Sequence, residues 1–527
     1  MPTLDFKSRV EAPARDVFDW HARPGAFERL VPPWMDVRLQ RRDGIRNGQK
    51  AVMSVGLGPV RKRWVARHEG YEDGRQFRDV QEEGPFEAWA HTHRFEPLGA
   101  EGENGEAGAA SVLHDHIAYE VPLGGLGRIV AGGTVRSQIE HQFAYRHRIT
   151  RQDLALHQRY AESGRLTVAI SGASGLVGRS LQALLTSGGH AVRPMVRHRD
   201  QARASDAAMY WNHREGAIDA EALEGVDAVV HLAGENIFAP RWSASKKERI
   251  YASRAQGTRL IADTLASLDD PPEVFVSASA IGYYGDRGAE KLTEESAPGD
   301  GGFLTAVCRE WETATRPAAQ AGIRTVNARF GIVLSPAGGA LQLMRPAFLS
   351  GLGGTVGDKE QYLPWVALDD VLGALHRALM RSSLEGPINV TGPAPATMQD
   401  FTDTLARVMR RPSVFHVPKR VVSTAMGDAA DEFLLTSARV LPRRLSDDGY
   451  DFLYPTLEGA LRHQLGRTMA PLVGEARGLA DATSADQAGA RAEREGVHAH
   501  GGDGALRTHQ HADKRRGARR GIRLFSK

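Results

Sequence analysis

The spacing of apolar positions changes character near residue 160. Before it, Val37-Arg-Leu-Gln-Arg, Arg63-Trp-Val-Ala-Arg-His, Ala88-Trp-Ala-His-Thr-His-Arg-Phe and Ser111-Val-Leu-His-Asp-His-Ile-Ala-Tyr alternate apolar with polar residues. Period two marks strands with one buried face. The Gly/Glu/Asn-rich turns between them, notably Gly99 to Ala110, predict an antiparallel sheet. Two helical patterns interrupt it, Ala14 to His21 and Val135 to Arg159. Beyond residue 160, short β-branched runs occur at Leu166 to Ser171, Ala191 to His198, Val226 to Gly234, Val274 to Ser279 and Arg324 to Leu334. Amphipathic helical stretches such as Ser245 to Ala266 separate them. Strands spaced by helices predict an α/β fold with a doubly wound parallel sheet and a ligand crevice at the strand C-termini.

The sharpest local signal joins the first of these strands to its helix, Ser171-Gly-Ala-Ser-Gly-Leu-Val-Gly178. Gly172 permits a tight turn, Gly175 lets backbone N–H groups approach a pyrophosphate, and Gly178 allows close packing of helix on sheet. The helix N-terminus supplies unpaired N–H donors and a partial positive charge. Ser174, Leu176 and Val177 complete the expected cofactor-binding turn. At the end of the second strand an NAD site usually carries a carboxylate for the ribose 2′-OH. Here the chain reads Met195-Val-Arg197-His-Arg199. Arg197 suits a 2′-phosphate, which favours NADP; the alternative is a solvated basic loop.

Length and composition add bounds. A chain of 527 residues implies two or three domains, expected at 1–155, 164–466 and a basic, disordered tail at 467–527. The net charge of +3 is small for this length and no nucleic-acid motif is present, so no nucleic-acid partner is expected. Cys308 is the single cysteine, which excludes an intramolecular disulfide framework. With no basic-then-apolar leader and no membrane-length apolar run, the expectation is a soluble cytoplasmic protein.

Residues 166 to about 465 resemble the extended short-chain dehydrogenase/reductase superfamily, in particular its epimerase-like family. The residues that carry the resemblance are the glycine turn, His231-Leu-Ala-Gly-Glu-Asn-Ile237, Ser253-Arg254, Ile281-Gly-Tyr-Tyr-Gly285, Arg329-Phe-Gly-Ile-Val-Leu334 and Leu363-Pro-Trp-Val366. The resemblance implies that Leu232, Ala233 and Gly234 flank the adenosine, that Arg254 contacts the cofactor, and that the substrate is a small molecule. Gln361 and Trp365 are then pocket candidates, or core residues. Arg443 and Arg444 suit a phosphate-bearing substrate, or form a solvated helix end.

Residues 1 to about 150 resemble the helix-grip fold of the START/polyketide-cyclase superfamily. Phe6-Lys-Ser-Arg-Val-Glu-Ala-Pro-Ala-Arg-Asp-Val-Phe-Asp-Trp and the closing Phe143-Ala-Tyr-Arg-His-Arg carry that likeness, which implies a cavity for a small apolar ligand.

The catalytic pattern departs from the superfamily. The usual Tyr-x-x-x-Lys dyad falls on Phe303-Leu-Thr-Ala-Val-Cys-Arg-Glu-Trp-Glu312, where Phe303 or Leu304 and Val307 or Cys308 exchange no proton in the required way. Ser279 and Tyr284, just after a strand, are the catalytic candidates. His91 with His93 and His114 with His116 invite a metal reading if the two strands pair; facing solvent or lining the cavity is the alternative, and no metal is assigned. Three functions stay open: an NADP(H)-dependent oxidoreductase or epimerase acting by hydride transfer, a cofactor-sensing protein without turnover, and a carrier of an apolar ligand.

Overall fold

The computed structural model describes residues 1–58, 60–98, 109–122, 124–238 and 241–468. The expected tail beyond residue 468 lies outside the described residues.

The alternating segments form one antiparallel sheet. Its strands are β1 (Thr3–Val10), β2 (Val37–Arg42), β3 (Lys50–Leu57), β4 (Val60–Glu72), β5 (Gln76–Glu83), β6 (Ala88–Leu98) and β7 (Ala110–Glu120), in the order β1-β7-β6-β5-β4-β3-β2. β1 shows the period plainly: Leu4, Phe6, Ser8 and Val10 are buried and the intervening residues exposed. The helix Gly124–Arg159, longer than its sequence pattern suggested, packs on the sheet. Phe143 stacks on Phe6 with ring centroids 4.9 Å apart, and Ile139 joins the same core as Trp89 and Ile117. Aromatic packing of this kind contributes beyond simple area burial.

Register decides the histidine question. His93 lies opposite Asp115 and Arg94 opposite His114. Directly opposed residues share a sheet face. His91 and His93 therefore point inward with Asp115, while His114 and His116 point outward and meet Asp5 at 2.8 and 2.9 Å. The four imidazoles do not converge.

The second sheet contains β8 (Thr167–Ser171), β9 (Ala191–Val196), β10 (Met209–Asn212), β11 (Ala217–Ile218), β12 (Ala228–His231), β13 (Val274–Ala280), β14 (Arg324–Phe330) and β15 (Gly386–Val390). Their order is β11-β10-β9-β8-β12-β13-β14-β15, parallel except for the β10/β11 pair. β8 lies between β9 and β12, so connections leave it in opposite directions and open a crevice at its C-terminal end. Sequence reading missed β10 because Met209, Tyr210 and Trp211 are all buried, which erases the period-two signal. The expected helix from Ser245 is split into Ala244–Tyr251, a π-helical turn Ala252–Gln256, and Gly257–Leu265.

Charged side chains fasten the two sheets' layers together. Arg29, on the short helix Ala26–Leu30, makes two 2.7 Å hydrogen bonds to Asp153 of the long helix. It also reaches Asp369, at the start of helix Leu368–Met380, at 3.3 Å. Among the described residues no helix is long and apolar enough to cross a membrane.

Candidate functional site

The crevice at the end of β8 is built by the glycine turn. Gly172 has φ 71°, and a Cβ there would come within 2.7 Å of Ala233 N. Gly175 N donates to Gly172 O at 2.9 Å, and helix Leu176–Ser187 begins directly after it with no side-chain cap. A Cβ at Gly178 would stand 2.2 Å from Gly172 O. The helix is thus pressed onto the turn, and its first N–H groups face the crevice end, where an anion is favoured.

This crevice has a volume of about 560 Å³, and Gly172, Ser174, Gly175, Arg197, Leu232, Ala233 and Gly234 all line it. Seven of the eleven expected cofactor residues therefore converge on one space. Val177 and Gly178 lie behind the turn, in the packing of helix on sheet. Arg197 is exposed at the rim, while Arg199 turns away, its guanidinium 4.1 Å from the centre of the Tyr210 ring. Sequence reasoning missed two neighbours, His213 and Arg214, on the β10–β11 turn. Burial and then the adjacent Arg214 and Arg197 push the His213 pKa down, which marks a basic corner. The signal available was the basic turn His213-Arg-Glu-Gly216, hidden because β10 itself was not recognised.

Arg254 sits on the π-helical turn, a distortion often found at functional sites. It lies beneath Gly234, where a Cβ would be 3.4 Å from its guanidinium carbon, and donates to Glu235 O at 3.1 Å. It stands 5.0 Å over the Trp311 ring. Arg254 and Leu176 line a second cavity of about 460 Å³ rather than the crevice.

Ser279, Leu304, Val307, Cys308, Trp311 and Phe330 form part of that second cavity's wall. The helix Phe303–Thr313 presents Leu304 and Cys308 where the family's proton-transfer dyad was expected. Glu432 caps this helix, accepting from Phe303 N at 2.8 Å and Leu304 N at 3.0 Å. Burial pushes the Cys308 thiol up to about 12, so it packs as a small hydrophobe.

Ser279 Oγ donates to Glu312 Oε1 at 2.7 Å. Arg329 binds the same carboxylate through Nε and a terminal nitrogen, both at 2.7 Å. Its remaining terminal nitrogen donates to the Tyr284 hydroxyl at 2.8 Å, and that hydroxyl donates to Asn389 Oδ1 at 2.7 Å. Tyr284 is fully buried and does not line the cavity; burial pushes its pKa up to about 12. The structure thus corrects the pairing of Ser279 with Tyr284: Ser279 reaches the cavity, and Tyr284 supports Arg329 behind it. Glu312 and Arg329 carry this network; an acid at a helix end has no local mark, and Arg329 stands out in the sequence only within the Arg329-Phe-Gly segment that carries the family resemblance.

Other pocket candidates prove structural. Trp365 is fully buried in the core and donates to Ala394 O at 2.9 Å. Gln361 donates to Leu434 O at 2.9 Å. Arg444 binds the carbonyls of Glu385 and Pro387, and Arg443 pairs with Asp447 at 3.4 Å. Tyr362, Leu363 and Pro364 reach the cavity instead.

Comparison with known proteins agrees with this architecture. Residues 168–391 match the NAD dependent epimerase/dehydratase family, residues 10–143 match polyketide cyclase / dehydrase and lipid transport proteins, and residues 417–464 match a domain of unknown function. Epimerase family protein Mb2239 of Mycobacterium bovis is 42% identical over 300 residues, spanning 57% of this chain and 98% of the relative. The chain belongs to the epimerase family. Human epimerase family protein SDR39U1 is 31% identical over 299 residues, covering 56% of this chain and 99% of the human protein. The solved human SDR39U1 (isoform 2), crystallised with NADPH, superposes with a TM-score of 0.53 at 30% identity over 57% of this chain and 100% of that one. A nucleoside-diphosphate sugar epimerase from Corynebacterium glutamicum superposes with a TM-score of 0.72 at 30% identity, covering 94% of this chain and 99% of that one. This epimerase-family chain therefore has a structural relative that spans both of its sheets.

Proposed function

We propose that the chain binds NADP(H) at the β8 crevice and carries out hydride transfer on a small molecule held in the adjoining cavity. The observation that carries the cofactor assignment is Arg197 beside Arg214 and His213 at the rim of the crevice lined by Gly172 and Gly175. A guanidinium pair suits a 2′-phosphate, whereas the carboxylate typical of NAD sites is absent from this position. The NADPH in human SDR39U1, 30% identical, supports the same choice.

When bound in its oxidised form, the cofactor would take hydride from the carbon of a substrate alcohol at the nicotinamide ring. This chain's residues have three tasks. Gly172 to Gly175 and the helix N-terminus would hold the pyrophosphate; Arg197 and Arg214 would hold the 2′-phosphate. Leu304, Cys308 and Trp311 give the reacting end an apolar wall. Ser279 accepts a proton from a substrate hydroxyl while passing its own to Glu312, whose carboxylate Arg329 keeps in place. Isothermal titration with NADPH and NADH tests the binding; micromolar binding of NADPH with weaker NADH is expected, and absence of NADPH binding defeats the reading.

A second reading, cofactor binding without turnover, is favoured by Leu304 and Cys308 standing at the dyad positions. Oxidation of bound NADPH by any carbonyl or sugar-nucleotide compound removes it.

A further inference from the structure

The second cavity, beside the crevice, is selective by its charge. Leu304, Val307, Trp311, Ile332, Val333 and Leu363 line it with apolar groups. Among the described residues of its wall the charged ones are Arg254, Asp286, Asp431 and Glu432, three carboxylates and one guanidinium. That guanidinium is already engaged. Arg254 donates to Glu235 O at 3.1 Å and to Ile250 O at 3.3 Å, and lies over the Trp311 ring. Arg439, next to Ala438 of the wall, turns onto the Tyr362 ring instead, its guanidinium carbon 5.0 Å from the ring centre.

A nucleoside-diphosphate sugar brings a doubly charged pyrophosphate. Proteins hold such groups with arginine or lysine side chains, or with the unpaired N–H groups of a helix N-terminus. Helix Phe303–Thr313 begins at this cavity, but Glu432 already accepts from its Phe303 N and Leu304 N, so a phosphate there would meet a carboxylate in its place. Helix Gly339–Leu349 also begins at the cavity, and it starts against the cofactor turn: a Cβ on Gly338 would stand 3.2 Å from the Leu176 side chain. An unneutralised anion in an apolar space is costly. A neutral hydroxyl asks only for an acceptor, and Ser279 Oγ keeps a lone pair for one while it donates to Glu312.

We propose that the substrate of this site is an uncharged, largely apolar secondary alcohol, or the ketone that corresponds to it, and not a nucleoside-diphosphate sugar. The proposal rests on the hydride-transfer reading of the same site and adds the charge and polarity of the molecule held there.

Calorimetry on the full chain tests it with three probes: 4-phenylcyclohexanol, its analogue carrying a carboxylate on the phenyl ring, and UDP-glucose. NADPH is titrated first, and the probes then follow on NADPH-saturated protein, where alcohols are not turned over and the heats report binding. The neutral alcohol is expected to bind about ten-fold or more tighter than its carboxylate analogue, and UDP-glucose is expected neither to bind at millimolar concentration nor to displace the alcohol. Leu304→Asn, a polar side chain of similar size in the wall, is expected to weaken the alcohol about ten-fold. Equal or tighter binding of UDP-glucose or of the carboxylate analogue, no binding of the alcohol at millimolar concentration, or unchanged alcohol affinity in Leu304→Asn overturns the proposal. If Leu304→Asn does not fold, Phe433→Ser takes its place, at the partly exposed wall where Phe433 packs edge-on against Phe238 with ring centres 5.0 Å apart. A protein that binds no NADPH but still takes the alcohol, and does not exchange it for UDP-glucose, keeps the substrate class and loses the cofactor reading.

Discussion

Ser279 and Glu312, 33 positions apart, are joined by a 2.7 Å hydrogen bond at the wall of the second cavity, beside the crevice. The same carboxylate oxygen takes Arg329 Nε at 2.7 Å, so one acid links the cavity surface to a buried cation. If Ser279 relays a proton here, Ser279→Ala lowers turnover of any accepted substrate by about ten-fold to a hundred-fold. NADPH affinity stays within a factor of about two, because Ser279 lines the second cavity and not the crevice. Steady-state kinetics with parallel NADPH titration separates the two effects.

Arg329 has a side chain only 2% exposed, and its partner Glu312 is 14% exposed. Arg329→Leu strands that carboxylate and removes the donor to Tyr284. Truncating one member of such a pair costs about 3–5 kcal/mol. Urea unfolding of variant and parent measures it; Glu312→Gln, which keeps a hydrogen-bonding side chain of the same size, is expected to cost less.

Arg197→Glu puts a carboxylate where the 2′-phosphate is proposed to lie. NADPH affinity is expected to fall about ten-fold or more, with NADH affinity equal or improved. An unchanged preference between the two nucleotides counts against the basic corner as the phosphate site.

Gly172→Ala places a Cβ at φ 71° and within 2.7 Å of Ala233 N. Left-handed strain and the backbone clash together are expected to cost about 1–3 kcal/mol, and NADPH binding is expected to weaken with it. Chemical denaturation and calorimetry on the same preparation read both.

Burial pushes His21, His157 and His231 down to about 3. Each is neutral when folded, while the unfolded chain takes up its proton near pH 6.5, so between these values the unfolded state binds more protons. Stability is full above about pH 6.5 and is lost as pH falls toward 3. At about pH 5 each site accounts for a loss on the order of 2 kcal/mol. Urea midpoints at pH 7 and about pH 5 measure the sum, and His231→Gln is expected to flatten the dependence.

Cys308 has a thiol pushed up to about 12 by burial. Native protein at neutral pH is expected to resist iodoacetamide and to be alkylated fully once unfolded, as mass spectrometry would show.

Much of this protein was written in local pattern. Period two announced β6 and β7, β-branched runs announced β8, β12 and β13, and the glycines at 172, 175 and 178 marked the turn that packs against Leu232 and Ala233. The absence of a Tyr-x-x-x-Lys dyad from Phe303 to Glu312 was equally readable, because residue identity along a helix needs no long-range information.

What the linear chain left open depended on contacts between distant segments. The parity of the β6–β7 register sent His91 and His93 inward and His114 and His116 outward, and a slip of one residue would have reversed one pair relative to the other. The pleat at the end of β13 put Ser279 on the cavity, and the helical turn Ile281–Tyr284 after it put Tyr284 behind, against Arg329 from β14 and Asn389 from β15. Local periodicity and steric tolerance act within a few residues and survive in the sequence; pairing of charge and choice of face are settled by which segments meet.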